Sequence, residues 1–289
     1  MVFLEIPWNV NPIIAKLGSF ELRWYGLLFA SGFLIGYQIM AHIFKKEGKP
    51  DKDLDTLLFV MIIATVIGAR FGHYFFYEYP LLLKDPGTFF LEMITPPFSG
   101  LASHGATISI LIALYLYGRK HKDQPFLWIT DRVVITVAMG GAGIRLGNLM
   151  NHEIVGKPST LPWAFRFNTF SMNPDGSLKM IPEAFARHPA QLYEALSCLV
   201  LCGLLFYIWN RFKEKTPHGL LLGLFLIILF TLRFLYEFLK ENQEEFENSM
   251  TLNMGQILSI PAVILGIGIL YYALTKGKKD AEFYSKLKK

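Results

Sequence analysis

The sequence predicts an all-α polytopic membrane protein: about seven transmembrane helices, the N-terminus outside, the C-terminus cytoplasmic, and a small extracytoplasmic cap. Three observations predict it. Apolar residues make up 53% of the 289 residues and charged ones only 18%, where soluble domains run about 45–50% and about 25%. The apolar residues come in long blocks. Lysine and arginine gather in every second interval between those blocks, the bias that orients a membrane chain.

Residues 1–21 hold Pro7, Pro12 and several large apolar side chains, and are expected to lie flat in the outer interface. They lack a charged stretch followed by an apolar run, so no cleaved leader is expected and the first span serves as its own insertion signal. Seven apolar blocks follow, at about 22–44, 54–77, 98–118, 126–150, 189–210, 219–238 and 255–275. Each has about 20 residues or slightly more, enough to cross about 30 Å of hydrocarbon at 1.5 Å per residue.

Positive charge follows the odd-numbered blocks. Lys45, Lys46, Lys49 and Lys52 come after the first, and Arg119, Lys120 and Lys122 after the third. Arg211, Lys213 and Lys215 come after the fifth, and Lys276, Lys278, Lys279, Lys286, Lys288 and Lys289 after the seventh. The alternate intervals differ: residues 78–97 hold only Lys84, and residues 239–254 set Lys240 against Glu241, Glu244, Glu245 and Glu247. Residues 151–188 form the long loop, placed outside as the cap. Pro158, Pro162, Pro182, the run Asn173-Pro174-Asp175-Gly176 and the alternation Trp163, Phe165, Phe167 predict turns and a short strand pair there. The chain reads as a single membrane domain, 1–289, without internal repeats, which argues against a repeat-built transporter.

The net charge of +5 is spread in short clusters between apolar blocks, the pattern of membrane topology and not of a nucleic-acid face. Cys198 and Cys202 are four apart, share a helix face and lack partners for a metal site. There is no Gly-x-Ser-x-Gly elbow and no His-Glu-x-x-His. No cofactor or metal is implied.

On the predicted topology the polar residues within spans converge toward the outer side. They are Arg23, Trp24 and Tyr25, Arg70 and His73, Ser103 and His104, Arg145 and Asn148, His188, Gln191, Tyr193 and Glu194, Arg233 and Glu237, and Gln256. The inner half has Lys-rich loops and few polar groups within spans. The run Gly143-Ile144-Arg145-Leu146-Gly147-Asn148-Leu149-Met150-Asn151-His152-Glu153 is the densest. An arginine near hydrocarbon costs about 2.5–3.5 kcal/mol on insertion scales, so a chain that keeps one there uses it. Plainer readings stand beside this one. Arg23 also suits snorkelling to the interface, Trp24 and Tyr25 an aromatic belt, and Arg233 with Glu237 an i,i+4 pair. Gly140, Gly141, Gly143 and Gly147 suit helix packing, and His104 a packing role. Two or more arginines at outer-leaflet depth suit an anionic phospholipid headgroup, since guanidinium forks match phosphate oxygens and stay charged in low dielectric. His104 is the best-placed general base.

The residues resemble a family. Gly143 through Gly156 is similar to the signature of the prolipoprotein diacylglyceryl transferases. Arg23-Trp24-Tyr25-Gly26, Gly68-Ala69-Arg70-Phe71-Gly72, Ser103-His104-Gly105-Ala106, His188 through Glu194, Arg233 through Glu237 and Met254 through Pro261 follow in the family's order. The resemblance covers about residues 7–275. It departs before His104, where Pro96-Pro97-Phe98-Ser99-Gly100-Leu101-Ala102 replaces a Gly-Gly-Met lead and Ala106 a second glycine.

The resemblance implies transfer of an sn-1,2-diacylglyceryl group from phosphatidylglycerol to the lipobox cysteine thiol of a prolipoprotein. A thioether forms and glycerol phosphate leaves, in the bacterial cytoplasmic membrane with the site toward the outer, periplasmic face. It implies catalytic roles for His104, Arg145, Arg233 and Glu237. Arg145, Asn148, Tyr25, Arg70, Glu153 and Gly156 are implied to bind phosphatidylglycerol or support its contacts. Partners are then phosphatidylglycerol, lipobox peptides and membrane lipids, with no nucleic acid. The rival readings are an anionic-lipid transporter or flippase, a Ser–His intramembrane protease using Ser103 or another serine, and a structural or assembly membrane protein. The first would need polar groups lining an inner exit or broken paired helices.

Overall fold

The computed structural model describes residues 5–18, 20–95, 100, 102–172, 178–242 and 245–286. The Pro96–Ser99 lead, Leu101 and the Asn173–Gly176 turn lie outside the described residues.

The chain is mostly helical. Among the described residues six helices are long and apolar enough to cross a membrane: Trp24–Lys46 (α1), Asp51–Tyr77 (α2), Phe126–Met150, Ala190–Lys215, Leu220–Leu239 and Met254–Tyr284. Between α2 and the third of these lie Tyr79–Lys84 (α3), Pro86–Ile94 (α4) and Ser103–Lys120 (α5). The third predicted span is therefore a helix, α5, but it is not among the six. It has 18 residues, rising about 27 Å, and polar or charged groups at both ends. The remaining helices are labelled α6 (Phe126–Met150), α7 (Ala190–Phe212), α8 (Leu220–Tyr236) and α9 (Met254–Tyr272); a π-helical turn at Ala273–Gly277 joins α9 to α10 (Lys278–Lys286).

Helix α6 runs through the middle, packed along α1 and α7 and touching α5 and α8, while α2 pairs with α5 and α8 with α9. Apolar side chains point outward as well as inward: Leu34, Val200, Ile264 and Tyr271 are 64–71% exposed. Such a surface is stable only in lipid. The largest core surrounds Phe44, Ile129, Leu205 and Trp209.

That core encloses charges that the sequence reading missed. Arg132 and Asp131 are fully buried and Glu47 nearly so. Glu47 accepts from Trp209 Nε1 at 2.6 Å, Trp128 Nε1 at 3.1 Å and Arg132 Nη2 at 3.0 Å. Asp131 accepts from the Gly219 and Leu222 amides at 2.7 and 2.8 Å, capping the otherwise unpaired donors that open α8. The Lys-rich end of the bundle, the one expected to be inner, therefore does hold polar groups within a span. Glu47 finds its partners on α6 and α7, beyond the reach of local pattern.

Small strands flank the bundle. Ile6–Pro7 (β1) pairs in parallel with Phe165–Arg166 (β4), Ile13–Leu17 (β2) with Phe20–Arg23 (β3) antiparallel, and Asn168–Met172 (β5) with Leu178–Pro182 (β6) antiparallel. A strand pair thus forms within residues 151–188 as expected. Regular structure also forms within the first 21 residues. Their described part forms a hairpin and a strand that reaches across to the long loop. Phe165 and Phe167 are buried with Leu149 against Trp8, whereas Trp163 stays half exposed.

Candidate active site

The Gly143–Glu153 run closes α6 and turns back on itself. His152 and Ile154 both have positive φ, 56° and 59°, which is strained for a β-branched residue. The reversal is held from outside. The Asn168 amide donates to His152 Nδ1 at 3.1 Å, and His152 Nε2 lies 2.9 Å from the Val10 carbonyl. Nδ1 must therefore be unprotonated and Nε2 the donor. Burial lowers the His152 pKa, in keeping with a neutral ring. The turn returns Glu153 to the helix end, where it accepts from Asn148 Nδ2 at 2.7 Å and Asn151 Nδ2 at 3.3 Å. Gln191 of α7 holds the Glu153 carbonyl at 2.6 Å.

Helix α1 comes unusually close to this end of α6. A Cβ at Gly147 would lie 2.7 Å from the Tyr25 ring, and one at Gly143 would lie 2.7 Å from the Leu28 carbonyl. No larger residue fits, so these glycines set Tyr25 against the helix that carries Arg145 and Asn148.

Arg145 then opens a chain of alternating charges. Its Nε pairs with Glu194 Oε2, and its Nη1 reaches Asn148 Oδ1 at 3.4 Å. Lys240 Nζ lies 3.0 Å from Glu194 Oε1 and 2.5 Å from Glu237 Oε1. Glu237 also accepts from Asn253 Nδ2 at 3.0 Å, and Asn253 and Gln256 cap α9 reciprocally. Arg233 Nε stands 4.0 Å from Glu237 Oε1. The i,i+4 pair read from the sequence is thus a loose one, because Glu237 is taken up by Lys240 and Asn253. Lys240, Glu194 and Glu237 are buried, whereas Arg233 is 39% exposed at its side chain and Arg145 22%. Three cations against two carboxylates leave this chain with one net positive charge, and the exposed ends are the two arginines.

In the sequence Lys240 reads as part of the acidic interval 239–254 and not as a site residue. The available signal was its spacing: three residues after Glu237 and seven after Arg233, on one helical face. Gly156 belongs to the same device. It bridges Lys240 as an isolated β-pair, and Lys157 N–H donates to the Leu239 carbonyl at 2.8 Å. A Cβ at Gly156 would stand 2.5 Å from the His188 carbonyl and 2.9 Å from that of Leu239. Only glycine lets the loop after α6 grip the end of α8 and fix Lys240.

The structure thus brings together Arg145, Asn148, Glu153, Tyr25, Gly156, Arg233 and Glu237. Arg70 and His104 have other surroundings. Arg70 is buried, with Nη2 2.6 Å from the Glu92 carbonyl, Nε 3.0 Å from that of Met93, and its guanidinium over the Tyr74 ring at 4.7 Å. It satisfies the last carbonyls of α4. His104 lies exposed in the first turn of α5. That helix is seated on α2 by glycines: a Cβ at Gly105 would fall 2.2 Å from the Gly68 carbonyl and 2.5 Å from Gly72 Cα.

A family model described as prolipoprotein diacylglyceryl transferase matches residues 12–272. The chain belongs to that family. It is similar to proteins named phosphatidylglycerol–prolipoprotein diacylglyceryl transferase over nearly the whole length of both partners. The one from Chloroherpeton thalassium is 39% identical over 94% of this chain and 96% of its own. The one from Tolumonas auensis is 40% identical over 91% and 95%, and that from Bacteroides fragilis 39% over 97% and 98%. The family match spans both arginines, Lys240 and the capping residues of α9.

Proposed function

We propose that this protein transfers the sn-1,2-diacylglyceryl group of phosphatidylglycerol to the thiol of a lipobox cysteine in a prolipoprotein. The names of its relatives support the substrates. The observation that carries the reading is the Arg145–Glu194–Lys240–Glu237 ion chain with Arg233 loosely attached, three cations against two carboxylates, buried at its middle and exposed at its arginine ends. In the reaction the cysteine sulfur attacks the glyceryl carbon that bears the phosphate. The S–C bond forms, the C–O bond breaks, and the phosphodiester monoanion leaves as glycerol phosphate, a monoester with one more negative charge. The thiol proton passes to a base. Fixed cations that face this growing charge lower the barrier because they need no reorganisation as it develops.

Arg145 and Arg233 are assigned to the phosphate, Asn148, Tyr25 and Glu153 to the headgroup and its supports, and Glu237 to holding Lys240. His104 is assigned to the thiol proton; its imidazole is exposed and carries no competing hydrogen bond among the described residues. A thiol with pKa about 8.5 needs only modest help to ionise, so His104 contributes less than the arginines. Arg70 is assigned to positioning α4. The orientation follows from the loop charges: N-terminus outside, α5 as a seventh span, residues 151–188 as an outer cap, and the site toward the outer face of the bacterial cytoplasmic membrane.

The purified protein, given phosphatidylglycerol and a lipobox peptide, should yield the diacylglyceryl thioether by mass spectrometry. Replacing the peptide's cysteine by serine should abolish it. No product from folded protein with verified lipid would overturn the assignment.

A further inference from the structure

An apolar cavity of about 250 Å³ lies between α1, α2 and α6. Its walls run from Phe29 to Met40 on α1, Leu54 to Thr65 on α2 and Val133 to Ile144 on α6. Each stretch spans eleven helical rises, which at 1.5 Å each gives a depth of about 16 Å on all three helices. That is about half of a 30 Å hydrocarbon layer, the reach of one lipid leaflet. Ile144, at one end, adjoins Arg145. At the other end Met40, Leu54, Leu57 and Val133 are at most 5% exposed and belong to the packed core, so the cavity has a floor.

The lining offers a ligand no free hydroxyl proton. Tyr37 OH is spent on Asp55 at 3.0 Å, Thr65 on the Met61 carbonyl at 2.7 Å and Thr136 on the Val133 carbonyl at 2.8 Å. The occupant is therefore hydrocarbon. Partway down, the walls carry glycine on both sides. A Cβ at Gly32 would approach Gly140 Cα to 3.1 Å, whereas a Cβ at Gly140 would meet nothing within 4 Å.

We infer that this cavity takes one acyl chain of the phospholipid donor, and that its floor at Met40, Leu54 and Val133 gauges the chain's length. The inference rests on the donor reading above and adds what that reading leaves open, the acyl specificity. Ile144, at the outer end of the lining, immediately precedes Arg145 on α6, so a lipid held by Arg145 has its hydrocarbon within about one helical turn of the cavity's end. A chain longer than the depth must buckle or leave methylenes in the bilayer, and a shorter one leaves apolar wall uncovered. Gly140 keeps the upper part of the passage open.

The test compares dioctanoyl, dimyristoyl, dipalmitoyl and distearoyl phosphatidylglycerol as donors in mixed micelles, reading kcat/KM for the full-length enzyme. Gly140→Leu should cut turnover of the longer donors by at least about tenfold relative to dioctanoyl, with Gly140→Ala near wild type. Met40→Ala, which deepens the floor, should move the preferred length upward. Melting curves keep folding losses apart from length selection, and the ratio between donors cancels any loss common to all. An unchanged length profile in a folded, active Gly140→Leu enzyme would overturn the inference while leaving the transferase reading intact. So would a rise in KM for the lipobox peptide alone, which would give the cavity to the peptide's apolar segment, or a changed oligomeric mass, which would give it to a second copy. Absence of thioether from wild type with every donor would instead sink the reading beneath it.

Discussion

Lys240→Met tests how the site is charged. Lys240 is 1% exposed, with Nζ 3.0 Å from Glu194 and 2.5 Å from Glu237. At 3.0 Å and an effective dielectric of 20 the attraction to a single carboxylate is about 5.5 kcal/mol. Relaxation and water return part of that, so loss of the cation from a buried pair costs about 3–5 kcal/mol. The functional effect comes from redistribution. With Lys240 gone, two cations face two carboxylates and the net charge falls from +1 to zero. Glu194 and Glu237 then draw Arg145 and Arg233 inward, away from a phosphate. Turnover should fall on the order of a hundredfold, equivalent to about 2.7 kcal/mol of transition-state stabilisation. The decisive comparison is Lys240→Met combined with Glu194→Gln. Two arginines against one carboxylate restore the charge of +1, and the remaining carboxylate, Glu237, has Arg233 at 4.0 Å to draw in. The double variant should regain much of both melting temperature and kcat/KM in a peptide-lipidation assay. The reasoning fails if Lys240→Met behaves as wild type, or if the double variant is as impaired as the single one.

Three further outcomes are expected. Arg145→Ala should insert as wild type and, since Glu194 keeps Lys240 at 3.0 Å, melt less far below wild type than Lys240→Met, yet lose most activity; near-normal turnover would remove Arg145 from the phosphate. Arg70→Met should lower the melting temperature, since hydrogen bonds from a charged donor contribute about 1.5–3 kcal/mol each, and leave KM for phosphatidylglycerol within about twofold; a large rise in KM with no change in melting would return Arg70 to the lipid site. His218 is buried, and burial, reinforced by Arg132, lowers its pKa from 6.5 to about 4; Lys49 acts in the same direction and Asp280 against it. A depressed histidine favours the folded state when neutral. Its contribution is therefore full above pH 6.5 and is lost as the pH falls toward 4. Melting curves across that window should slope downward on acidification, and His218→Asn should flatten them; an unchanged slope would place the sensitivity elsewhere.

The signature arginine, the partner motifs and the apolar blocks were all legible in the chain, because each is a local property. Hydropathy marks a span within about 20 residues, and a charge inside it is anomalous wherever its partner sits. The strand pair of residues 168–182 was legible for the same reason. The pairing of β1 with β4 was not, since two-residue strands about 160 positions apart leave no pattern. Nor was the buried state of Glu47, which reads as one more charge in a Lys-rich loop until Trp128, Arg132 and Trp209 are seen around it.

For the site itself, the sequence determined which residue types are present and which motif carries each. Only the tertiary structure decided how they divide. Arg70 and Arg145 look alike in a sequence, each an arginine near a glycine-flanked helix end. In the fold one guanidinium is occupied by the carbonyls that close α4, and the other heads a buried ion chain. Lys240 is hidden among glutamates until the grip of Gly156 fixes it between Glu194 and Glu237. The physical reason is that the value of a charge in low dielectric depends on what lies within a few ångströms of it. Those neighbours are supplied by helices far apart in the chain.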